Sequence, residues 1–283
     1  MKKFLLSVAM VASALTLVGC FAPNNQIKVI SYNIRLSGHG HARGADGVHY
    51  WDNRKHASIN MINDEKPTVF GLQEACSDQM DFLVENLPEY DHIGVGRDDG
   101  KRAGEFMAIF YDKSKVELID GGTFWLSPTP EKPSRGWDAA CIRTCTWSRM
   151  RMKASGDEFI YLNTHLDHVG AVAQEESLKL IVERLQTYID EELPIFLTAD
   201  FNATPDSHIF EPLKESMEDA REVAPESDYR GTFNGWNTVK KPTLIDHIFL
   251  RDAKAHSFRV LCDKNYGAPL ISDHYPVVLE ASF

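Results

Sequence analysis

The chain has 283 residues, 43% hydrophobic, 25% charged and 10% aromatic, with a formal net charge of −11. That hydrophobic share is enough for a large core and excludes an intrinsically disordered chain. The acidic balance weighs against a domain that holds nucleic acid by nonspecific charge, because such domains gain affinity from counterions released by Lys and Arg.

Lys2 and Lys3 precede an apolar stretch over residues 4–18, and Gly19 and Cys20 follow it. A basic start, an apolar centre and small residues before a cut site make a secretory signal, and the stretch is short for a transmembrane helix. Leu17-Val18-Gly19-Cys20 resembles the lipobox of bacterial lipoproteins, which implies cleavage before Cys20 and lipidation of its thiol. An ordinary signal peptide with an unrelated cysteine, or an uncleaved anchor, is the alternative. The expectation is a signal over residues 1–19, a tether over 20–26 and one domain over 27–283. The protein would be exported and held at a membrane, on its periplasmic or cell-surface side, only through Cys20. Losing Lys2 and Lys3 leaves 28 basic against 41 acidic residues. Of the other cysteines, Cys141 and Cys145 would stand about 13 Å apart on an extended segment, so they should not pair, and free thiols are expected.

Residues 27–33 alternate as a strand and end on Asn33. A Gly- and His-rich segment over 38–47 reads as a mobile loop over a site. Weak helical character over 51–65 stops before Pro67, and a short apolar strand over 68–74 ends on Glu74. Met80, Leu83, Val84 and Leu87 recur at helical spacing. Strands are expected over 90–95, 105–111, 116–119 and 123–126, then a Pro-rich loop over 127–138. Residues 142–153 and 158–163 read as a hairpin that runs into His165. Its odd-numbered Arg149, Arg151 and Lys153 read as a solvated or ion-paired rim. The clearest helix covers 172–189, where Leu178, Ile181, Leu185 and Tyr188 share a stripe. The apolar run at 193–197 is a buried strand that delivers Asp200 and Asn202 at its carboxyl end. A short helix over 206–213, a strand over 243–250 interrupted by Asp246, and a final strand over 277–283 behind Asp273 and His274 complete the pass. Neighbouring strands with few helices between them argue for mixed sheets, most simply two packed sheets with helices outside.

The strand-end groups Asn33, Glu74, His165, Asp200, Asn202, Asp246, Asp273 and His274 comprise four acids, two amides and two imidazoles. Each alone reads as a turn or cap residue. Gathered together, four carboxylates need a cation, and oxygen ligands suit Mg²⁺ or Mn²⁺ better than zinc.

In order, Ser31-Tyr32-Asn33, Leu72-Gln73-Glu74, Asn163-Thr164-His165, Asp200-Phe201-Asn202, Ile245-Asp246 and Ser272-Asp273-His274 match the motifs of the endonuclease/exonuclease/phosphatase superfamily. The chain resembles that superfamily over residues 28–280, departing where Thr198-Ala199 precede Asp200 in place of the usual Gly. The resemblance implies an α/β fold of two packed mixed sheets flanked by helices, the four-layer DNase-I-like sandwich. It also implies metal-dependent hydrolysis of phosphoesters. On it, Glu74 is the principal metal ligand with Asn33 beside it, and Asp273 touches the metal. Asp200 orients and deprotonates the attacking water, and Asn202 holds a phosphoryl oxygen. His274 donates to the phosphate, oriented by Asp246, while His165 sits near the scissile phosphate and His168 contacts substrate.

Outside the motifs, Glu105 and Arg143 are candidates to face the substrate, against an edge acid and a structural ion pair. Trp137, Phe233 and Trp236 either stack on substrate or pin their loops to the core. The expected substrate is a small or lipid-linked phosphoester. DNA or RNA is the alternative that the charge disfavours, and a lipid-anchored binding module is the non-enzymatic one. No protein partner is expected, and the chain is read as a monomer.

Overall fold

A computed structural model describes residues 25–38 and 47–283. The signal, Cys20, most of the tether and His39 and His41 lie outside the described residues.

Among the described residues, thirteen strands form two sheets. They are β1 (Gln26–Asn33), β2 (Val69–Gln73), β3 (Tyr90–Ile93), β4 (Ile109–Asp112), β5 (Val116–Trp125), β6 (Thr144–Met152) and β7 (Glu158–His165), followed by β8 (Ile195–Asp200), β9 (Glu218–Asp219), β10 (Glu226–Ser227), β11 (Asp246–Arg251), β12 (Lys254–Val260) and β13 (Val277–Ser282). One sheet runs β10-β12-β13-β1-β2-β4-β3 and the other β5-β6-β7-β8-β11-β9. Both are mixed: β1–β2 and β7–β8 are parallel, while β1–β13 and β8–β11 are antiparallel.

The alternation of side chains along each strand builds the layers. In β1, Ile27 and Val29 enter the core between the sheets, and Ile30 and Tyr32 enter the core under the helices α1 (Trp51–Glu65) and α2 (Ser77–Asn86). In β8, Phe196 faces the opposite sheet, whereas Ile195, Leu197 and Ala199 pack with Leu178, Ile181 and Leu185 of α3 (Ala171–Asp190). Helix, sheet, sheet and helix make the expected four-layer sandwich.

A polar tie crosses the inner core. Asn163 of β7 donates through Nδ2 to the Leu72 and Ala108 carbonyls of the other sheet at 2.7 and 3.0 Å. Its Oδ1 accepts from Gln73 Nε2 at 2.6 Å and Thr198 Oγ1 at 3.1 Å. All four hydrogen bonds are buried, where an unpaired amide would be costly. Gly71 makes room for them: a Cβ there would lie 2.4 Å from Thr198 Oγ1 and 2.5 Å from Asn163 Oδ1.

Several boundaries differ from those expected. β1 begins at Gln26 and Asn25 is already bonded to Phe283 and Asp157, so residues 25 and 26, expected in the tether, belong to the domain. Residues 105–108 precede β4, with Phe106 making isolated bridges to Ala75 and Gly96. The two strands expected over 116–126 are one, β5, because a register shift between Leu118 and Asp120 carries the ladder past the polar residues. Asp246 begins β11 instead of interrupting it. β12 has no counterpart in the expectations, since a bulge between Ala255 and Ser257 breaks its alternation. Cys76, Cys141, Cys145 and Cys262 are free thiols. Arg149 and Arg151 pair with Glu158, as a sheet rim would.

Candidate active site

The inner-facing residues of the central strands run out at one end of the sandwich. In β1, Ile27, Val29, Ser31 and Asn33 share a parity, and in β7 so do Phe159, Tyr161, Asn163 and His165. The same holds for Phe196, Thr198 and Asp200 in β8, and for Leu250, Ile248 and Asp246 in β11. Register sets them level: His165 pairs with Asp200 across the parallel ladder, and Asp246 with Asp200 across the antiparallel one. Two residues depart from the alternation. Glu74 and Asn202 each follow a strand end in the left-handed region, at φ 64° and 52°, which re-aims their side chains into the same cleft.

The cleft has a volume of about 750 Å³ and is lined by Glu74, His165, Asp200, Asn202, Asp273 and His274 among others. Asp246 lies behind it, where its Oδ2 accepts from His274 Nδ1 at 2.8 Å. Asp200 Oδ2 sits 3.7 Å from His274 Nε2 and 3.5 Å from His165 Nε2, and it accepts from Asn33 Nδ2 at 2.9 Å. Asn202 Nδ2 lies 3.0 Å from His165 Nε2 and donates to the Leu166 carbonyl.

Electrostatics separates these groups. Burial, reinforced by the Asp246 charge, pushes the Asp200 carboxyl up to about 7. Burial disfavours charge on His274 too, but the Asp246 and Asp200 carboxylates outweigh it and raise the imidazole to about 10. His165 goes the other way: burial, then Arg143 and Arg97, hold it well below its ordinary value and keep it neutral. A neutral carboxyl or a carboxylate, an imidazolium and a neutral imidazole thus meet within one small volume, the separation expected of acid–base machinery.

Glu74 and Asp273 form a second focus. Arg35 lies 3.6 Å from Glu74 Oε2 through Nη1 and 3.6 Å from Asp273 Oδ2 through Nε. Glu74 also accepts from Asn33 Nδ2 and the Leu36 amide; burial opposes its ionisation, yet Arg35 and these donors hold it lowered. Asn33 turns its amide nitrogen toward Glu74 and Asp200 and its oxygen toward the Arg35 N–H. The oxygen-rich donors fit a hard divalent cation. Asp200, Asp246 and His274 also bring one ligand atom each within 4.8 Å of one another, and Asp246 Oδ1 is buried without a hydrogen bond.

The sites predicted outside the motifs divide. Glu105, Arg143, His168 and Phe233 line the cleft, and Glu105 is a half-buried partner of Arg97 at 2.7 Å, not a solvated edge acid. Trp137 does not line it. Its loop is tied to the start of α3, where Asp138 Oδ1 accepts from the Ala173 amide at 2.7 Å, and the indole is left 36% exposed. Trp236 does not line it either: it stacks on His49 at 4.3 Å beneath the Arg54 guanidinium and pins its loop. Arg35, Arg97 and Asp167 are additions. Only Asp167 carried a sequence signal, lying between His165 and His168. It accepts backbone N–H groups from Ala140, Cys141, Val169 and Gly170, which hold its carboxyl low against burial.

This fold, with acids and imidazoles at the strand ends, defines a phosphoesterase of the DNase-I-like class. The Endonuclease/Exonuclease/phosphatase family model matches residues 30–274, and the chain belongs to that family. It is similar to the solved structure of an endonuclease/exonuclease/phosphatase from Bacteroides vulgatus, at 34% identity and TM-score 0.84, covering 91% of this chain and 98% of that one. A mannosyl-6-phosphatase from Bacteroides thetaiotaomicron is 35% identical with TM-score 0.84, covering 91% of this chain and all of that one. Uncharacterized protein L388 of Acanthamoeba polyphaga mimivirus is 25% identical over 272 residues, 89% of this chain and 99% of that protein.

Proposed function

We propose that the protein is a divalent-metal-dependent phosphatase that hydrolyses small phosphomonoesters, with sugar phosphates the leading class, outside the cytoplasm. The observation that carries the chemistry is the placement of Asp200 Oδ2 within 3.7 Å of two imidazole nitrogens, His165 Nε2 and His274 Nε2. The cleft volume of about 750 Å³ lies in the range of roughly 300–1,000 Å³ typical of small-molecule sites. Similarity to a mannosyl-6-phosphatase supports a phosphorylated sugar. The net charge of −11 gives nucleic acid no long-range attraction. Export rests on the basic and apolar amino terminus and on the lipobox resemblance at Cys20.

A divalent cation, Mg²⁺ or Mn²⁺, held by Glu74 and Asp273 with Asn33 beside them, would supply neutralising charge for the phosphoryl oxygens. Asp200 in its carboxylate form positions a water and takes its proton, a role suited to a group titrating near neutrality. His274 is protonated at neutral pH and donates from Nε2 to the phosphoryl group, while Asp246 fixes Nδ1. Asn202 Nδ2 donates to the Leu166 carbonyl and lies against Nε2 of the neutral His165, which holds that imidazole beside Asp200.

The test is a turnover screen of the exported chain with Mg²⁺ or Mn²⁺ across sugar phosphates, nucleotides, inositol phosphates, phospholipids, DNA and RNA. Asp200→Asn is the control. Sugar phosphates should be hydrolysed fastest, and Asp200→Asn should abolish turnover. Preferred cleavage of DNA or RNA with steep salt dependence would replace this reading with a nuclease. No turnover of any member would remove the enzymatic reading.

A further inference from the structure

Away from Asp200 the cleft is walled by Arg97, Glu105, Arg143 and His168, none of which is placed against the phosphate in the mechanism above. Arg97 Nη1 donates to Glu105 Oε2 at 2.7 Å, and both side chains are largely buried. Arg143 is 5% exposed. Its Nε reaches Asp167 Oδ2 at 3.5 Å, and its Nη2 lies 3.1 Å from His168 Nδ1.

These residues are positioned by the protein yet keep unused capacity. Arg97 Nε is buried without a hydrogen bond, and Asp98 Oδ1 lies 3.8 Å from it. Among the described residues, Arg143 Nη1, Glu105 Oε1 and His168 Nε2 have no hydrogen-bond partner either. Arg97 Nε alone among these four atoms is sealed from solvent, where an unpaired N–H is costly; the other three are reachable from solvent and so by a ligand.

The sign of the wall selects the ligand. Arg97 and Arg143 are balanced by Glu105 and Asp167, and Asp98 at the exposed lip adds a further negative charge. A second phosphate or carboxylate on the substrate would meet the Glu105 carboxylate. A hydroxyl group suits the wall better, since it can donate to Glu105 Oε1 and accept from a guanidinium N–H at once.

We propose that Arg97, Glu105, Arg143 and His168 form a polyol subsite that grips the hydroxyls of a sugar leaving group while His274, and Asp200 through its water, act on the phosphate. This rests on the phosphatase reading above and adds the residues that select the substrate.

The experiment measures kcat/KM of the exported chain with Mg²⁺ for a hexose 6-phosphate, its monodeoxy analogues and phenyl phosphate, then repeats the series with Glu105→Gln and Arg97→Lys. A hydroxyl bonded to charged groups contributes roughly 10- to 100-fold. At least one deoxy analogue should therefore lose about 10-fold or more in the wild type, while the same deletion costs Glu105→Gln far less, under about 3-fold, because its contact is already weakened. Arg97→Lys, which keeps the charge and loses the fork, should fall between the two. A flat deoxy series in a wild type that also turns over phenyl phosphate would overturn the subsite and leave the phosphatase reading intact. An equal loss on every substrate in both variants would also overturn it, by making the pair structural. Absence of turnover on all phosphate esters would remove both readings.

Discussion

His274 Nδ1 lies 2.8 Å from Asp246 Oδ2, and its Nε2 faces Asp200 at 3.7 Å, so one imidazole is held between two carboxylates. Its own titration is raised from 6.5 to about 10 as a result, against the opposing effect of burial, while burial and Asp246 lift Asp200 from 3.8 to about 7. Activity should accordingly rise with pH as Asp200 loses its proton, at or below about 7 once a cation draws the carboxyl down, and fall toward 10 as His274 loses its own. In Asp246→Asn the alkaline limb should move toward neutrality and kcat should drop about 10²- to 10⁴-fold. A pH profile of kcat/KM for both proteins checks this, and an alkaline limb unmoved by the substitution would sever His274 from the descending arm.

The same two groups set the direction of stability against pH. Each has a folded-state value raised above its unfolded one, so each contribution is complete below the unfolded value and is lost as pH rises through the folded one. For Asp200 that window is 3.8 to about 7, and for His274 it is 6.5 to about 10. Without metal, denaturation midpoints should decline from pH 6.5 to 10, and His274→Gln should flatten that decline.

Metal should couple to stability through Glu74. A ligand that binds only the folded chain raises its stability by about 2.7 kcal/mol at a hundred times its Kd. Titration with Mg²⁺ or Mn²⁺ should raise the wild-type Tm, and Glu74→Gln should lose most of that shift. A variant that keeps the full shift would move the principal metal site elsewhere, the Asp200, Asp246 and His274 group being the next place to look.

Arg54 supports the site from below. It is 1% exposed and donates to the carbonyls of Ile34, Arg35, Leu36, His49 and Ile271, fixing the segment that carries Arg35 beside Glu74. Arg54→Met fills similar space and leaves those carbonyls unpaired. A loss of about 3 kcal/mol is expected from the buried groups left unpaired, with weaker metal binding as a second readout. Urea denaturation and a metal titration together test it.

Gly71→Ala should be among the most damaging single-methyl changes in the protein. The added Cβ would lie 2.4 Å from Thr198 Oγ1 and 2.5 Å from Asn163 Oδ1, within the polar tie between the sheets. Overpacking of this kind costs about 1–3 kcal/mol, and the broken hydrogen bonds add to it. A denaturation midpoint within error of the wild type would show that the sheets can part locally to admit the methyl.

Much of the site was legible because it is built from strand ends. An apolar run closed by Asp200, a short strand closed by Glu74 and alternation closed by Asn33 are all local patterns, and the order of the motifs supplied the rest. What local pattern cannot carry is a residue whose position depends on two distant segments. Arg97 sits in a turn that reads as solvent, and only its pairing with Glu105 brings it to the cleft. Arg35 follows a strand like any surface Arg, yet folding brings Glu74 and Asp273 to either side of it. In the sequence, Trp137 and Trp236 stay open between substrate stacking and loop pinning for the converse reason. A loop aromatic has no periodicity to orient it, so the contacts of its neighbours decide where it points.

The Asn163 tie has a mechanical meaning. Glu74 extends the end of one sheet, Asp200 ends a strand of the other, and the Asn163 amide beneath them bonds to both sheets at once. Methyl groups sliding over one another would let the sheets shear by small increments. Directional hydrogen bonds do not, so the distance from Asp200 to Glu74 behaves as a fixed gauge, set one layer below the cleft. Heat or denaturant should thus abolish activity together with the tie, in one cooperative step, without a prior phase in which the two halves drift apart.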